Sequence, residues 1–99
     1  RIGRNAMVGG MAGVNQDVLP FSLVEGTPAR LLSVNAVGLK RANFKPAVRA
    51  AIKKAFKIIS SPDMNTSQAL KKINSEIEMC DEIDYLLNFI KNSTRGVTK

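Results

Sequence analysis

Near its start this 99-residue chain reads as three six-residue units: Ile2-Gly3-Arg4-Asn5-Ala6-Met7, Val8-Gly9-Gly10-Met11-Ala12-Gly13 and Val14-Asn15-Gln16-Asp17-Val18-Leu19. An aliphatic residue opens each unit, glycine follows it in the first two, and alanine or valine stands four places further on. A period of six is neither a helix period nor a strand alternation, and it is typical of repeats that make a short strand and then turn. The pattern predicts one coil of a parallel β-helix, with the leading aliphatic side chains pointing inward. The alternative is a glycine-rich loop whose period is accidental.

One coil is too little for a stable solenoid. Each repeat buries its apolar face against the next, so roughly three or more must stack. The chain also starts within the repeat, at Arg1, without a methionine. We therefore expect it to be the C-terminal portion of a longer polypeptide with earlier coils. We also expect the piece alone to fold poorly, because the apolar end of the solenoid would face water.

The repeat is interrupted at Pro20, and a different pattern follows. Residues 21–25 alternate and hold apolar side chains, which predicts one last extended segment. A turn is predicted at Gly26-Thr27-Pro28, since proline disfavours helix at the residue before it. From Val34 onward the chain is helical in character. The sequence therefore predicts the end of a β-helix with a connecting loop over residues 1–33, and a small all-α domain over residues 34–99.

Four helices are predicted in this second part. The first covers about residues 34–43, and Pro46 opens the second at a first helical position. Asn65 and Gln68 form a capping-box variant before the third, and acidic residues suit the first turn of the fourth, from about Asp81. Apolar residues three and four places apart mark the inner faces. They are Val48, Ala51, Ile52, Ala55, Phe56 and Ile59 on the second helix, Ala69, Leu70, Ile73 and Ile77 on the third, and Ile83, Leu86, Leu87 and Ile90 on the fourth.

The composition argues against catalysis by these residues alone. The chain has no histidine and a single cysteine, Cys80. This excludes a histidine general base, a Ser-His or Cys-His pair and a histidine-containing metal site within the 99 residues. The acidic residues of the last third look like a solvated helix face. We expect no catalytic residue, no metal and no cofactor here, and Cys80 is expected to be a small buried hydrophobe.

Charge is unevenly distributed along the chain, whose net charge is +7. No acidic residue lies between Glu25 and Asp63. The basic residues of that stretch are Arg30, Lys40, Arg41, Lys45, Arg49, Lys53, Lys54 and Lys57. Three of them, Arg49, Lys53 and Lys57, recur every four residues on the second predicted helix and form what we call the basic stripe. The asymmetry indicates a phosphate, a nucleic acid or an acidic protein surface as partner, the alternative being a solvated helix face.

Several segments together resemble one acyltransferase family. They are Met7-Val8-Gly9-Gly10, Gly13-Val14-Asn15-Gln16-Asp17-Val18, Pro20-Phe21, Glu25-Gly26, Val34-Asn35-Ala36-Val37-Gly38-Leu39-Lys40-Arg41, Phe44 and Ser93-Thr94-Arg95-Gly96-Val97. In these residues the chain is similar to the acyl-carrier-protein–UDP-N-acetylglucosamine O-acyltransferases, which begin lipid A synthesis. Hexapeptide repeats are shared by many transferases, whereas the Asn-x-x-Gly-Leu-Lys-Arg segment followed by helices is far more specific.

The resemblance implies a cytoplasmic homotrimer of left-handed parallel β-helices with helical C-terminal domains. In this family a 3-hydroxyacyl chain passes from acyl carrier protein to the 3-hydroxyl of UDP-N-acetylglucosamine. The general base is a histidine in an upstream coil, so the resemblance implies that this chain contributes binding rather than catalysis. The partners implied are acyl carrier protein, UDP-N-acetylglucosamine and the other subunits, with no nucleic acid and no membrane span.

Two binding residues carry over from the family to this sequence. Asn35 and Arg41 match residues that contact the uridine and diphosphate region of the nucleotide sugar. A guanidinium forms bidentate bonds to phosphate, and an amide offers both a donor and an acceptor. For Asn35 the alternative is an ordinary helix cap. The chain departs from the family at Val37, often glutamate, and at Ala42, often a second arginine, so other contacts or a changed nucleotide preference remain open.

The acyl chain has its own candidate residues. Gly10 matches the family position that sets acyl-chain length, with Met7 nearby in the hydrocarbon groove. A glycine leaves that groove open, which predicts a long chain of the 3-hydroxymyristoyl kind. The alternative for Gly10 is a turn that tolerates no Cβ. The floor of the groove could also be shaped by Met11, Thr27 and Pro28.

The resemblance also suggests a role for the basic stripe. Its three residues, with the neighbouring Lys54, would dock the strongly acidic acyl carrier protein. Two other functions stay open. A basic helical module could bind RNA or DNA, although no aromatic residue interleaves with the stripe and no nucleic-acid motif is present. A non-catalytic trimerisation cap of another hexapeptide sugar-nucleotide transferase would use the same coil.

Overall fold

Strands come first along the chain and helices follow. The computed structural model describes residues 1–10, 13–14, 16–93 and 96–98. The elements within these residues are β1 (Met7–Val8), β2 (Ser22–Glu25), β3 (Arg30–Val34), α1 (Ala36–Arg41), α2 (Pro46–Ile59), α3 (Thr66–Glu76) and α4 (Asp81–Lys91). The strands form one sheet in the order β1-β2-β3. None of the helices in the described ranges has the length and apolar character needed to span a bilayer.

The first residues form a coil that returns in parallel alongside itself. Ile2 bridges Val18, and β1 pairs with β2 in parallel so that Met7 lies opposite Leu23. Each partner lies 16 residues further along, from 2 to 18 and from 7 to 23. The parallel return follows the predicted coil. The return takes 16 residues and is shorter than three complete six-residue units, and this offset is already present at Val18.

The leading aliphatic residues of the units are less buried than predicted. Ile2 is 64% exposed and Val14 is 38% exposed, whereas Val18 is fully buried. In the described sheet β1 is an edge strand, so no strand of these residues covers that side of the coil. Three repeat residues, Met11, Ala12 and Asn15, lie outside the described residues.

The sequence patterns did not predict β3. It runs antiparallel to β2, with Ser22 opposite Val34, after a turn that includes Gly26 at φ 97° and a cis Thr27–Pro28 bond. The placement of Val34 at the start of a helix was wrong, because β2 offers it a pairing partner and α1 begins only at Ala36. The division into residues 1–33 and 34–99 stays a prediction.

The helix boundaries agree closely with the local signals. Pro46 is the first residue of α2, and α4 begins at Asp81 with acidic residues in its first turn. The capping box before α3 is complete: Gln68 N–H donates to Asn65 Oδ1 at 2.9 Å, and Asn65 N–H donates to Gln68 Oε1 at 3.0 Å. These boundaries depend on neighbouring residues only, which explains why the sequence predicted them.

The coil and the helices share one apolar core. Leu19 and Phe21 from the coil side pack with Leu39 of α1 and with the inner faces of the longer helices. The ring of Phe21 is 1% exposed and lies edge-on to Phe44 and Tyr85, with centroid separations of 5.7 and 6.0 Å. Most predicted core positions are buried. The exceptions among the inner-face positions are Val48, Ala51 and Leu70, which are half-buried. Cys80 is also half-buried, so the prediction that it is a buried residue was wrong.

The end of the chain returns to the coil at Asp17. Val97 bridges Asp17 in parallel, and the N–H of Thr98 donates to the Asp17 carbonyl at 2.7 Å. The buried Asp17 carboxylate also accepts the Ser93 hydroxyl at 2.8 Å. The predicted helix end at 93–96 includes Thr94 and Arg95, which lie outside the described residues.

Candidate functional site

Asn35 is the cap residue of α1, and its side chain has two partners. Its Oδ1 accepts a hydrogen bond from the Gly38 N–H at 3.2 Å, and its Nδ2 donates to the Asn5 carbonyl at 3.0 Å. Its backbone N–H donates to the Phe21 carbonyl at 2.7 Å. The helix-cap role is therefore present in the structure. A ligand could still bond to the second Nδ2 hydrogen or the second Oδ1 lone pair.

Arg41 stands at the other end of the same short helix. It is the last residue of α1 and is exposed, next to the equally exposed Lys40. Six residues at 1.5 Å each place it roughly 9 Å along the axis from the cap at Asn35. The positions where the family carries more polar side chains are also at the surface, since Val37 is 62% exposed and Ala42 is exposed.

Gly10 has open space where a side chain would project. A Cβ built on Gly10 meets no atom of the described chain within 4 Å, whereas one built on the neighbouring Gly9 lies 2.9 Å from the Glu25 Cβ. No contact among the described residues therefore requires glycine at this position. Met7 in β1 is 57% exposed on the same coil. Of the other proposed floor residues, Thr27 and Pro28 are exposed, and Met11 lies outside the described residues.

The basic stripe borders a groove beside α2. Two adjacent surface cavities, of about 220 and 330 Å³, share Val34 and Lys53, and we call them together the α2 groove. Lys57 lines the first cavity and Arg49 lines the second. Their apolar walls come from β3, α1 and α2, namely Leu31, Leu32, Val34, Ala36, Leu39, Pro46, Ala50 and Phe56. All three cations of the stripe thus stand along one partly apolar depression.

Lys54 differs from its neighbours on the same helix. Its Nζ donates to the Glu76 carbonyl at the end of α3 at 3.4 Å, and Lys54 is not part of the α2 groove lining. Arg49 differs in another way, because its buried Nε has no hydrogen-bond partner among the described residues. The structure therefore brings Arg49, Lys53 and Lys57 together along the groove and turns Lys54 towards α3.

Sequence reasoning missed the wall of this groove. Because β3 was not predicted, the apolar residues Leu31 and Leu32 received no role, although they follow directly after a predicted turn. That pairing of a turn with an apolar run was the available hairpin signal. Val34 and Ala36 flank Asn35 and line the same cavity as Arg49, so the start of α1 adjoins the basic stripe.

The acidic side chains of the last third form no metal site. Among the described residues, no group of three or more Cys, Asp or Glu residues is placed to hold a metal ion. Asp81, Glu82 and Asp84 instead lie in the first turn of α4, where their charge complements the helix dipole.

Comparisons with known proteins all match one class of enzyme. A family model described as "Udp N-acetylglucosamine O-acyltransferase; Domain 2" matches residues 17–98. The acyl-[acyl-carrier-protein]–UDP-N-acetylglucosamine O-acyltransferase of Syntrophobacter fumaroxidans is 41% identical over 98 residues, 98% of this chain and 38% of the relative. The protein of the same name from Gloeothece citriformis is 42% identical over 93 residues, 94% of this chain and 33% of the relative.

Solved structures agree with that class. A UDP-N-acetylglucosamine acyltransferase from Bacteroides fragilis matches with a TM-score of 0.96 at 32% identity, over 100% of this chain and 39% of that one. The Arabidopsis enzyme matches with a TM-score of 0.84 at 28% identity, over 99% of this chain and 38% of that one. The fold is therefore that of part of a UDP-N-acetylglucosamine acyltransferase.

The chain belongs to the UDP-N-acetylglucosamine O-acyltransferase family, and this confirms the resemblance seen in its sequence. It spans about 38% of the length of the curated relatives that it matches first.

Proposed function

We propose that the protein to which this chain belongs transfers a 3-hydroxyacyl group from acyl carrier protein to the 3-hydroxyl of UDP-N-acetylglucosamine, the first step of lipid A synthesis. The sugar hydroxyl attacks the thioester carbonyl, an ester bond forms and the carbon–sulfur bond breaks. The hydroxyl proton passes through a general base to the carrier thiolate. The match of the family model across residues 17–98 carries this proposal.

The proposal includes a cytoplasmic homotrimer of left-handed parallel β-helices. The parallel return of the chain from Met7 to Leu23 supports a β-helix coil. Because the 99 residues contain no histidine, the base would come from another part of the protein. This chain would then contribute binding surfaces for the nucleotide sugar, the acyl chain and the acyl carrier, while residues 34–99 would form the helical domain.

The candidate nucleotide residues have suitable chemistry and position. Arg41 is exposed, and its guanidinium can form bidentate, charge-assisted bonds to a diphosphate. Asn35 lies at the start of the same helix and keeps hydrogen-bonding capacity beyond its cap bonds. The exposed Val37 and Ala42 leave this surface less polar than the family pattern, so Arg41 would supply most of the phosphate recognition.

Chain-length selection provides a direct test of the whole proposal. The intact protein, given UDP-N-acetylglucosamine and 3-hydroxyacyl carriers of ten to sixteen carbons, is expected to form the 3-O-acyl product and to prefer about fourteen carbons. Gly10→Met is expected to shift the preference to shorter chains, because the open space at Gly10 receives the side chain without a clash inside the chain. Product masses measure both results.

The matched control for this test is Asn74→Met, which adds the same side chain on an exposed face of α3. It should leave the chain-length profile unchanged. Unaltered selectivity in Gly10→Met would remove Gly10 from the acyl site. Failure of the unmodified protein to form any acylated sugar nucleotide would contradict the proposed function itself.

The α2 groove is the proposed docking surface for acyl carrier protein. Arg49, Lys53 and Lys57 line it, and no acidic residue occurs between Glu25 and Asp63 to offset them. Long-range attraction of this kind raises the association rate of an acidic partner and weakens as salt screens it. Lys54 is turned towards α3, so it would contribute only to the overall positive electrostatic field that attracts the acyl carrier.

Charge reversal tests that docking surface. The double variant Lys53→Glu/Lys57→Glu is expected to raise the KM for the acyl carrier about tenfold at low salt, because two attractive contacts become repulsive. The KM for UDP-N-acetylglucosamine should stay constant. The control Lys71→Glu/Lys91→Glu changes net charge equally on α3 and α4, away from the groove, and should have a much smaller effect. An equal rise in the KM for both substrates would show that the basic stripe has a structural role.

A further inference from the structure

The pairing of β2 with β3 contains a bulge at Leu32. Leu23 of β2 lies opposite Ser33 of β3. The next residue of β2, Val24, lies opposite Leu31. Leu32 is therefore the extra residue of β3, and in this register no residue of β2 lies opposite it. A β-bulge of this kind bends its strand and redirects the side chains beside it.

The bulge explains why two consecutive leucines line the same cavity. Successive side chains of a regular strand point to opposite faces of the sheet. Leu31 and Leu32 nevertheless both line the 220 Å³ cavity of the α2 groove, together with Lys53 and Lys57. The extra residue interrupts the alternation, and it places the second leucine beside the basic stripe.

Leu32 is the exposed part of the apolar wall of this cavity. It is 54% exposed, whereas Phe56, which lines the same cavity from α2, is only 5% exposed. Because β3 is an outer strand of the described sheet, an exposed leucine on it favours unwanted pairing unless something covers it. Single exposed apolar residues are common, but Leu32 adjoins the apolar wall of a groove, which is typical of a protein interaction site.

The charges around Leu32 indicate the chemistry of the partner that covers it. Lys53 and Lys57 are exposed and line the same cavity, and Arg49 lines the adjoining one. No acidic residue of the described chain lines either cavity. A second copy that presented the same groove would bring like charges together, which is unfavourable. The complementary partner is an acidic protein that presents an apolar side chain among its carboxylates.

We infer that Leu32 is an apolar contact residue for acyl carrier protein, placed beside the basic stripe by the bulge in β3. This inference rests on the proposed function and adds an uncharged contribution to the docking surface. Charged contacts mainly raise the association rate, whereas burial of an apolar side chain stabilises the complex after it has formed. The two contributions differ in salt dependence, because salt screens only the interaction between charges.

The salt dependence of the carrier KM separates the two contributions. In the intact protein, Leu32→Ala is expected to raise the KM for the acyl carrier about five- to tenfold, as for the loss of part of the burial of a leucine. This factor should stay nearly constant from about 0.1 to 1 M sodium chloride, over which the screening length falls from roughly 10 to 3 Å. The factor for Lys53→Ala should fall towards one over the same range, and the KM for UDP-N-acetylglucosamine should not change in either variant.

Two further variants separate apolar contact from a structural effect. Met79→Ala removes another exposed apolar side chain, between α3 and α4 and outside the α2 groove lining, and should leave the carrier KM unchanged. Leu32→Met keeps an apolar side chain of similar volume and should retain most of the affinity for the carrier. An effect of Leu32→Ala below about twofold, or one that disappears at high salt, would overturn the inference.

Failure of this inference can be distinguished from failure of the proposed function. An unmodified protein that forms no acylated sugar nucleotide contradicts the proposed function and, with it, the assignment of Leu32 to the acyl carrier. An active unmodified protein whose carrier KM is the same in Leu32→Ala overturns the inference alone. If Leu32 instead covers another subunit, Leu32→Ala lowers the mass measured by sedimentation and raises the KM for both substrates, which also overturns it.

Discussion

Phe21→Ala is expected to lower the free energy of unfolding by about 3–5 kcal/mol, the usual cost of removing a fully buried aromatic ring. Phe21 is 1% exposed and contacts Phe44 and Tyr85 edge-on, so its loss leaves a cavity between the coil, the connection from α1 to α2, and α4. Folded domains are stable by only about 5–15 kcal/mol. Urea unfolding of the intact protein, followed by circular dichroism, measures the change.

Two controls separate the ring from the backbone. Phe44→Ala removes the same ring at a half-buried site and is expected to cost less. Phe21→Gly removes the ring but suits the φ of 65°, so it should be no less stable than Phe21→Ala. A loss below about 1 kcal/mol for Phe21→Ala, the size typical of a mild substitution, would show that the coil and helices do not depend on a shared core.

Arg41→Ala is expected to weaken UDP binding about ten- to hundredfold. Hydrogen bonds to charged groups contribute roughly 1.5–3 kcal/mol each, and every 1.4 kcal/mol is a factor of ten. Arg41 is exposed at the end of α1, so its removal should change the fold little. Isothermal titration of the intact protein with UDP, at one fixed ionic strength, measures the loss.

Lys40→Ala is the matched control, since Lys40 is an exposed cation in the same helical turn. This variant should weaken UDP binding only slightly, because it removes one charge from the overall positive electrostatic field. Arg41→Lys should fall between the two, because it keeps the charge but loses the planar, bidentate geometry. Equal effects of Lys40→Ala and Arg41→Ala would assign the attraction to net charge rather than to a specific phosphate contact.

The sequence predicted those features whose cause lies within a few residues. The six-residue pattern led to a parallel coil, and Pro46, Asn65 and Gln68 marked helix starts that the structure confirms. Prolines and capping residues act on the backbone of their own turn. For the same reason the cap role of Asn35 could be weighed from its neighbours in the sequence alone.

The structural features that the sequence did not predict have a common physical cause. Whether Val34 pairs in a strand depends on Ser22, twelve residues earlier, offering its edge, and no local signal reports that pairing. The 16-residue return of the coil likewise depends on which residues pair across the coil, Ile2 with Val18 and Met7 with Leu23. The α2 groove required β3 as a wall, and the bond from Lys54 to the Glu76 carbonyl required α3 beside α2, so the local sequence predicted neither.

Repeat spacing, helix caps and charge distribution are properties of neighbouring residues, and they were enough to predict a coil, the helix starts and a basic helix face. The class of the protein came from the resemblance of particular segments to one family. Only the packed tertiary structure determines which side chains come into contact. Packing placed the Asn35 amide against Gly38 and Asn5 and aligned the three cations of the basic stripe along one groove. Such contacts join residues distant in sequence, and they form only when the apolar faces of the coil and the helices pack into one core.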